Sequence, residues 1–304
     1  MEGGVAPGAY PAREVRLVAP FPEGHVTDLH ARLLAPHMAE ALSQQVIVDN
    51  WAGESGTVPL ERLKNTEPDG YTLMMHGYGG LALAPHLMRV NYDPTRDFTA
   101  IALLVTAPLV LVANASLPVQ SVADLVALAT EDPTSVRGGS FGNASNSRLA
   151  LALFNRGAGL EISHTAFAGG FDTTSDLVSR AFDVMFEFPP VVMPHITAGR
   201  LKPLAVTSKR RSAALPSVPT LEEAGVEGVE MVGWQGIIGP AGIAPEIVDK
   251  LNNLVNAIQE IGEIRASMEA DGYHPEAGTP AEFAAFIDYE YRRWGPIIRN
   301  AGIA

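Results

Sequence analysis

The sequence predicts an α/β protein of two domains, each built from a mixed, mainly parallel sheet flanked by helices. Short apolar segments alternate with helical patterns of roughly 10 to 15 residues, which is typical of parallel sheets with crossover helices. The chain has 304 residues, and a domain size of ~150 residues suggests two domains. Hydrophobic residues make up 47% of it and charged residues 18%, which is enough apolar material for two cores.

The first predicted strand is Val15–Ala19, and Pro20 ends it. A helix is expected after a short loop, with Thr27 or Asp28 as its N-cap, because apolar residues then recur at helical spacing. Pro36 lies inside this pattern and is expected to kink or break the helix. The apolar positions are Leu29, Leu33, Leu34, Met38 and Leu42.

The alternation continues to the end of the chain. Further strands are expected at residues 46–48, 71–75, 109–112, 162–166, 183–188 and 203–207. Helices are expected at residues 122–130, 146–155, 173–180 and 190–198. Two long helices, at residues 245–269 and 280–299, each open with a proline in the first turn.

The domain boundaries are predicted from apolar stretches, because the sequence has no repeat and no flexible linker. The stretches at residues 101–112 and 231–239 are the expected crossover strands. Domain 1 would then comprise residues 14–107 and 232–304, domain 2 residues 108–231, and an N-terminal extension residues 1–13.

Charge and composition exclude several functional classes. The net charge of −13 argues against binding to nucleic acid or anionic membranes, which both require a basic surface. No apolar run approaches the ~20 residues that cross a bilayer, so no direct membrane insertion is expected. There are no cysteines, and the eight histidines lack metal-ligand spacing. No nucleotide-binding glycine motif is present, so neither a metal nor a cofactor is expected.

Three glycine-bearing loops each precede a predicted helix. In an open α/β sheet such loops lie at the carboxyl ends of strands, where ligands bind. Exposed N–H groups and the helix dipole favour anions there, although glycines also simply make tight turns. The loops lie at residues 20–28, 76–80 and 138–145.

The third loop also matches the G-x-S-x-G pattern of a nucleophile elbow around Ser140. The preceding residues 131–137 are polar and contain Pro133, whereas an elbow follows an apolar strand. An α/β serine hydrolase is therefore the alternative function. Arg148, in the first turns of the next helix, is placed to bind a carboxylate through two parallel hydrogen bonds. The alternative interpretation is that Arg148 is a solvated arginine on the helix surface.

The chain resembles the periplasmic substrate-binding receptors of tripartite tricarboxylate transporters, the Bug receptors, over nearly its whole length. The matching elements keep the family's order and spacing. They are Pro20-Phe21-Pro22 with Gly24 and Asp28; Asn50 with Gly53 and Gly56; residues 68–73; Tyr92-Asp93-Pro94 with Asp97-Phe98; Pro194-His195-Ile196 with Ala198-Gly199; residues 204–208; and residues 218–221 with Ala224-Gly225.

The resemblance implies a two-lobed Venus-flytrap fold of the periplasmic-binding-protein class and a non-enzymatic function. Such receptors bind a small organic carboxylate in the interlobe cleft and deliver it to membrane permease subunits. A monomer is expected, and a carboxylate-sensing signalling role stays open. The implied ligand-binding residues are Phe21, Gly24, His25, Val26, Thr27, Tyr78 and Gly79 in the first lobe, and Asn143, Ser145, Asn146, Arg148, Phe167, Ala168, Gly169, Glu187 and Phe188 in the second.

Several departures from the family pattern bear on the ligand. His25 replaces a glycine, Arg148 stands where relatives commonly have histidine, and Glu187 replaces an aspartate. The frequent Pro-Tyr-Lys-Gly becomes Ala166-Phe167-Ala168-Gly169. Together with Tyr78, Phe171 and Phe188, these changes predict an apolar-walled pocket with a cationic end, suited to a dicarboxylate such as terephthalate or adipate rather than citrate.

The localisation that the resemblance implies is the periplasm. The start Met1-Glu2-Gly3-Gly4 lacks the basic and apolar regions of a signal peptide. Either the protein is cytoplasmic or a signal peptide has been removed, and the family favours removal.

Overall fold

The computed structural model describes residues 10–53, 56–140, 145–166 and 173–300. Within these residues the chain forms two compact units. Unit 1 comprises the residues up to Val105, Trp234–Ala266 and Pro275–Gly295. Unit 2 comprises Thr106–Gly233, Ser267–His274 and the residues from Pro296 onward. The chain therefore passes between the units five times.

The strands and helices of the described residues are numbered in chain order. The strands are β1 Val15–Ala19, β2 Val46–Asn50, β3 Thr72–Gly77, β4 Phe98–Pro108, β5 Val110–Asn114, β6 Arg137–Ser140, β7 Ser163–Ala166, β8 Val184–Glu187, β9 Leu201–Val206, β10 Val232–Pro240 and β11 His274–Pro275. The helices are α1 Val26–Leu42, α2 Thr57–Leu63, α3 Ala84–Leu87, α4 Val122–Glu131, α5 Asn146–Ala158, α6 Thr173–Val178, α7 Pro189–Thr197, α8 Pro245–Gln259, α9 Gly262–Ala270 and α10 Pro280–Asn300. A π-helical segment, Gly79–Leu83, precedes α3.

Unit 1 contains a six-stranded mixed sheet in the order β11-β4-β10-β3-β1-β2. Strand β1 pairs in parallel with β2 and β3, whereas β10 is antiparallel to β3. The three parallel strands end at Ala19, Asn50 and Gly77, so these carboxyl ends meet at one edge of the sheet. Gly77 permits a close approach there, because an added Cβ would lie 2.0 Å from the Trp234 carbonyl oxygen.

Unit 2 contains a five-stranded mixed sheet in the order β7-β6-β8-β5-β9. Strand β6 is parallel to β7 and β8, and β5 is antiparallel to β8 and β9. One face packs α6 and α7 against a cluster of fully buried side chains that includes Val112, Met185 and Val192. The strands β6, β7 and β8 again bring their carboxyl ends, Ser140, Ala166 and Glu187, to one edge.

Helix α1 differs from its prediction in two respects. Its N-cap is His25, whose side chain accepts a hydrogen bond from the Thr27 N–H, so neither Thr27 nor Asp28 caps the helix. The expected break at Pro36 does not occur, and α1 continues to Leu42. Because Leu34, Met38 and Leu42 are all buried, packing on both sides of Pro36 stabilises a continuous helix at a cost in local hydrogen bonding.

The first three residues of the third predicted glycine loop, Gly138, Gly139 and Ser140, belong instead to strand β6. An added Cβ would lie 2.3 Å from Leu151 Cδ2 at Gly138, and 2.5 Å from the Phe182 ring at Gly139. The two glycines therefore let buried apolar side chains pack directly on the strand backbone.

The long helix predicted at residues 245–269 is two helices, α8 and α9, separated by a turn after Gln259. Helix α9 begins at Gly262, and glycine is about 1 kcal/mol less favourable than alanine inside a helix. Gly262 therefore weakens any helix that would run through it, and the break between α8 and α9 falls directly before it.

Candidate functional site

Asp28 holds the loop at residues 20–25 of unit 1 in place. This buried carboxylate accepts hydrogen bonds from Gly24 N at 2.8 Å, Asn50 Nδ2 at 2.9 Å and Arg32 Nε at 2.9 Å. Asn50 Nδ2 also donates to the Phe21 carbonyl oxygen at 2.9 Å. Burial opposes ionisation of Asp28, but the hydrogen bonds from Arg32, Gly24 and Asn50 outweigh it and lower its pKa. The loop is thus fixed by charge-assisted hydrogen bonds.

Replacing Asp28 with alanine is expected to destabilise unit 1 by about 1 to 3 kcal/mol, because three donors lose the charged acceptor that they share. Urea unfolding checks this, and carboxylate binding should weaken as well, since the loop loses its anchor. Glu23→Ala is the matched control. Glu23 lies 3.4 Å from Arg32 but its side chain is 79% exposed, so we expect a change of less than about 1 kcal/mol. Equal effects of the two substitutions would contradict the role given to Asp28.

His25 contributes its imidazole to the start of α1. Its Nδ1 lies 3.2 Å from Thr27 N and 3.0 Å from Thr27 Oγ1. Because Nδ1 accepts the backbone hydrogen bond, the imidazole proton resides on Nε2. Burial, with His76 and His30 nearby, lowers the pKa of His25 to about 4. At neutral pH this residue is therefore an uncharged hydrogen-bond donor through Nε2.

His76, at the end of β3, completes an aromatic group with Phe21 and His25. The Phe21 ring stacks on His25 at 4.1 Å and lies 6.4 Å from His76. His76 Nδ1 accepts from Gly77 N at 2.8 Å, so Nε2 donates to the Gly56 carbonyl oxygen at 3.0 Å. Burial lowers the pKa of His76 to about 4. Unit 1 therefore brings the first loop and the end of β3 together, as the sequence predicts, with neutral histidines.

Tyr78 and Gly79 follow β3 and differ in exposure. Gly79 is exposed, and an added Cβ there would meet no atom within 4 Å. The Tyr78 side chain is 3% exposed, and its ring packs edge-on against Trp294 at 5.8 Å. The ring therefore occupies the core of unit 1 and does not form an open pocket wall. Tyr78 remains a candidate only through its backbone.

In unit 2, the start of α5 gathers three predicted residues. Ser145 is the N-cap, and its Oγ accepts a hydrogen bond from Arg148 N at 3.2 Å. Asn146 is the first helical residue, and Arg148 lies in the first turn and is half-buried. The N-terminal N–H groups of a helix have no intrahelical acceptor and attract anions. Arg148 adds a full positive charge at the same place.

Ser140 and His164 form a pair that bears on the hydrolase alternative. Ser140 Oγ lies 2.6 Å from His164 Nε2, the separation expected of a serine and its general base. However, Ser140 is completely buried at the carboxyl end of β6, whereas an elbow nucleophile is exposed to its substrate. The pair is therefore placed to fix the His164 ring and not to attack a substrate.

Glu187 is a buried carboxyl at the end of β8. It lies opposite Val110 in the neighbouring strand, and Val110 belongs to the apolar cluster on that face of the sheet. Burial raises the pKa of Glu187 from its ordinary value of 4.5 to about 8, although Phe188 N donates to its Oε1 at 2.7 Å. Glu187 is therefore mainly protonated at neutral pH. Phe188 is the N-cap of α7 and is half-buried.

The remaining predicted residues, Asn143, Phe167, Ala168, Gly169 and the pocket-wall candidate Phe171, lie outside the described residues. Two histidines that the sequence did not single out, His76 and His164, lie beside predicted positions. The signal for both was their place at or near the end of a strand. Among the described residues, no group of three His, Asp or Glu side chains could hold a metal ion. No helix of the same residues is long and apolar enough to cross a membrane.

Comparison with known families identifies proteins to which this chain is similar. The model of the tripartite tricarboxylate transporter family receptor matches residues 30–303. The chain is 31% identical over 303 residues to protein BugT of Bordetella pertussis, covering 98% of this chain and 92% of BugT. It is 32% identical over 291 residues to a UPF0065 protein in the tcbD-tcbE intergenic region of a Pseudomonas species, covering 95% and 87%.

Solved structures give the same result. The chain is similar to R. palustris Rpa4515 with adipate, with a TM-score of 0.88, 33% identity and coverage of 97% of this chain and 99% of that one. It is also similar to the periplasmic binding protein BugD, with a TM-score of 0.84, 28% identity and coverage of 97% and 99%. Both confirm the predicted periplasmic-binding-protein fold. The chain belongs to the tripartite tricarboxylate transporter receptor family, the Bug receptors, whose members bind solutes and are not enzymes.

Proposed function

We propose that this chain captures a small dicarboxylate with an apolar middle, of the adipate or terephthalate type, in the periplasm. It delivers that ligand to the membrane permease subunits of a tripartite transporter. Two related structures support carboxylate binding. One is Rpa4515 with adipate, at 33% identity, and the other is MatC from Rhodopseudomonas palustris with bound malate, at 29% identity and a TM-score of 0.83.

The observation that carries the proposal is Arg148 at the capped start of α5. A guanidinium can hold a carboxylate through two parallel, charge-assisted hydrogen bonds. The N–H groups of the first turn of α5 point toward the start of the helix, where the helix dipole also favours a negative charge. Ser145 fixes the first turn through the Arg148 backbone N–H. One carboxylate of the ligand binds here.

Unit 1 offers an anion site of its own at the first turn of α1, and its contacts in this proposal are Phe21, Gly24, His25, Val26 and Thr27. Since His25 and His76 are neutral at neutral pH, N–H dipoles and the Nε2 proton of His25 stabilise the anion there. Such dipoles are fixed by the fold, so little reorganisation accompanies binding.

A thermal-shift screen tests ligand capture. Adipate at 100 times its dissociation constant should stabilise the folded protein by about 2.7 kcal/mol, so the melting temperature should rise with adipate concentration. Mass spectrometry of adipate methyl monoester after long incubation should recover the ester unchanged. Hydrolysis of that ester, or Ser140-dependent labelling by a fluorophosphonate, would contradict a receptor without enzymatic activity.

A further inference from the structure

Three polar side chains of unit 2 lie where β6, β7 and α5 come together. Strands β6 and β7 are parallel, with Gly138 opposite His164 and Ser140 opposite Ala166. This register brings Ser140 Oγ to 2.6 Å from His164 Nε2. The first turn of α5 lies against these strands, because Ser147 Oγ donates to the Gly139 carbonyl oxygen at 3.4 Å and Gly139 pairs with Thr165, next to His164. Arg148 follows Ser147 in that turn, and its charge acts on the His164 imidazole. Ser140 and His164 are thus hydrogen-bonded beside the turn of α5 that carries Arg148.

The Ser140 hydroxyl can form a hydrogen bond with His164 in both protonation states of the imidazole. A serine hydroxyl has one donor hydrogen and two acceptor lone pairs. When His164 is neutral with its proton on Nδ1, Ser140 donates to Nε2; when His164 is charged, Nε2–H donates to Ser140 Oγ. The contact survives the change because only the hydroxyl hydrogen rotates. Ser140 thus holds the imidazole in place whether or not it carries a charge.

The guanidinium makes the charge on His164 sensitive to what binds nearby. Burial lowers the pKa of His164, and the positive charge of Arg148 lowers it further. An anion bound to Arg148 would cancel that repulsion and place a negative charge near the ring, and both changes favour the imidazolium. By linkage, binding of the anion and uptake of a proton strengthen each other.

We propose that His164 takes up one proton from solvent when a carboxylate binds at Arg148, so that a charged histidine and an arginine recognise this end of the ligand together. The inference rests on the proposed function and names a binding residue that the site prediction did not include. Arg137, at the start of β6, is held by Asp183 at 3.0 Å, so its charge is balanced within its own ion pair.

Calorimetric titration with adipate measures the proton directly. At about pH 6.5, near the ordinary pKa of an imidazole, the binding heat should differ between two buffers with different ionisation enthalpies. The slope gives net uptake of a fraction of one proton by the wild-type protein. In His164→Gln, adipate should still bind, more weakly, and the dependence on buffer should fall. His195→Gln, another histidine of unit 2, is the matched control and should keep the wild-type slope.

Each outcome of the titration decides the matter. Adipate binding without proton uptake in the wild type, or equal uptake in wild type and His164→Gln, overturns the role of His164 and leaves the proposed function intact. No adipate binding overturns both. A pH titration of the histidine NMR signals needs only the wild-type protein, so it tests the inference even if the His164→Gln variant does not fold. The wild-type His164 signal should titrate at higher pH with adipate than without it, and an unchanged midpoint overturns the inference.

Discussion

Arg148→Ala is expected to weaken adipate binding by roughly 10- to 100-fold, the equivalent of about one charge-assisted hydrogen bond. The affinity for hexanoate, the monocarboxylate of the same chain length, should change much less, because its methyl end needs no guanidinium. Calorimetric titration of both ligands measures the difference. The reason lies in the position of Arg148, which is half-buried in the first turn of α5.

Arg156→Ala is the matched control for this prediction. Arg156 lies in the last turn of the same helix and is exposed, so its removal changes the net charge equally without touching the helix start. The affinity for adipate should stay within about two-fold, because exposed charges more than a Debye length apart are screened. Equal losses of adipate and hexanoate binding in Arg148→Ala would show that Arg148 does not contact the ligand.

Glu187→Gln is expected to make the protein more stable than the wild type at alkaline pH. Burial raises the pKa of Glu187 to about 8, above its value in the unfolded chain. The stability that the protonated carboxyl contributes is therefore fully present below about pH 4.5 and is lost as pH rises through about 8. A neutral amide does not ionise, so the variant should gain roughly 3 to 5 kcal/mol relative to the wild type above pH 8.

Urea unfolding at several pH values measures this effect as the difference in unfolding free energy between Glu187→Gln and wild type. That difference should grow with pH, since all other titrating groups are shared. Glu161→Gln, at an exposed glutamate of unit 2, is the matched control for the loss of one glutamate. A constant difference for Glu187→Gln would show that Glu187 is already ionised in the folded protein.

Most strands and helices could be predicted because their local patterns agree with their final environment. Strand β1 has its predicted bounds, and its side chains at Val15, Leu17 and Val18 are completely buried. The errors arise where tertiary packing outweighs local preference. Leu29 fits the apolar stripe of α1 but is 56% exposed, and Gly138 and Gly139 are typical of a turn but lie in a strand covered by Leu151 and Phe182.

The candidate site could be predicted where it depends on the backbone. Loops after β1 and β3 and the start of α5 lie at strand and helix ends, whose place in an α/β sheet follows from topology. Side-chain partners are less predictable, because they depend on exact three-dimensional geometry. The hydrogen bond between Ser140 and His164 joins residues 24 positions apart, and no local pattern distinguishes it. The burial that keeps Glu187 protonated also arises only from packing.

A calorimetric titration with a panel of carboxylates tests the central claim most directly. The panel comprises adipate, terephthalate, malate, citrate and hexanoate. We predict saturable binding of adipate or terephthalate, with weaker binding of hexanoate and citrate, because the proposed ligand carries two carboxylates on an apolar middle. Tight binding of citrate without any response to adipate or terephthalate would contradict the account.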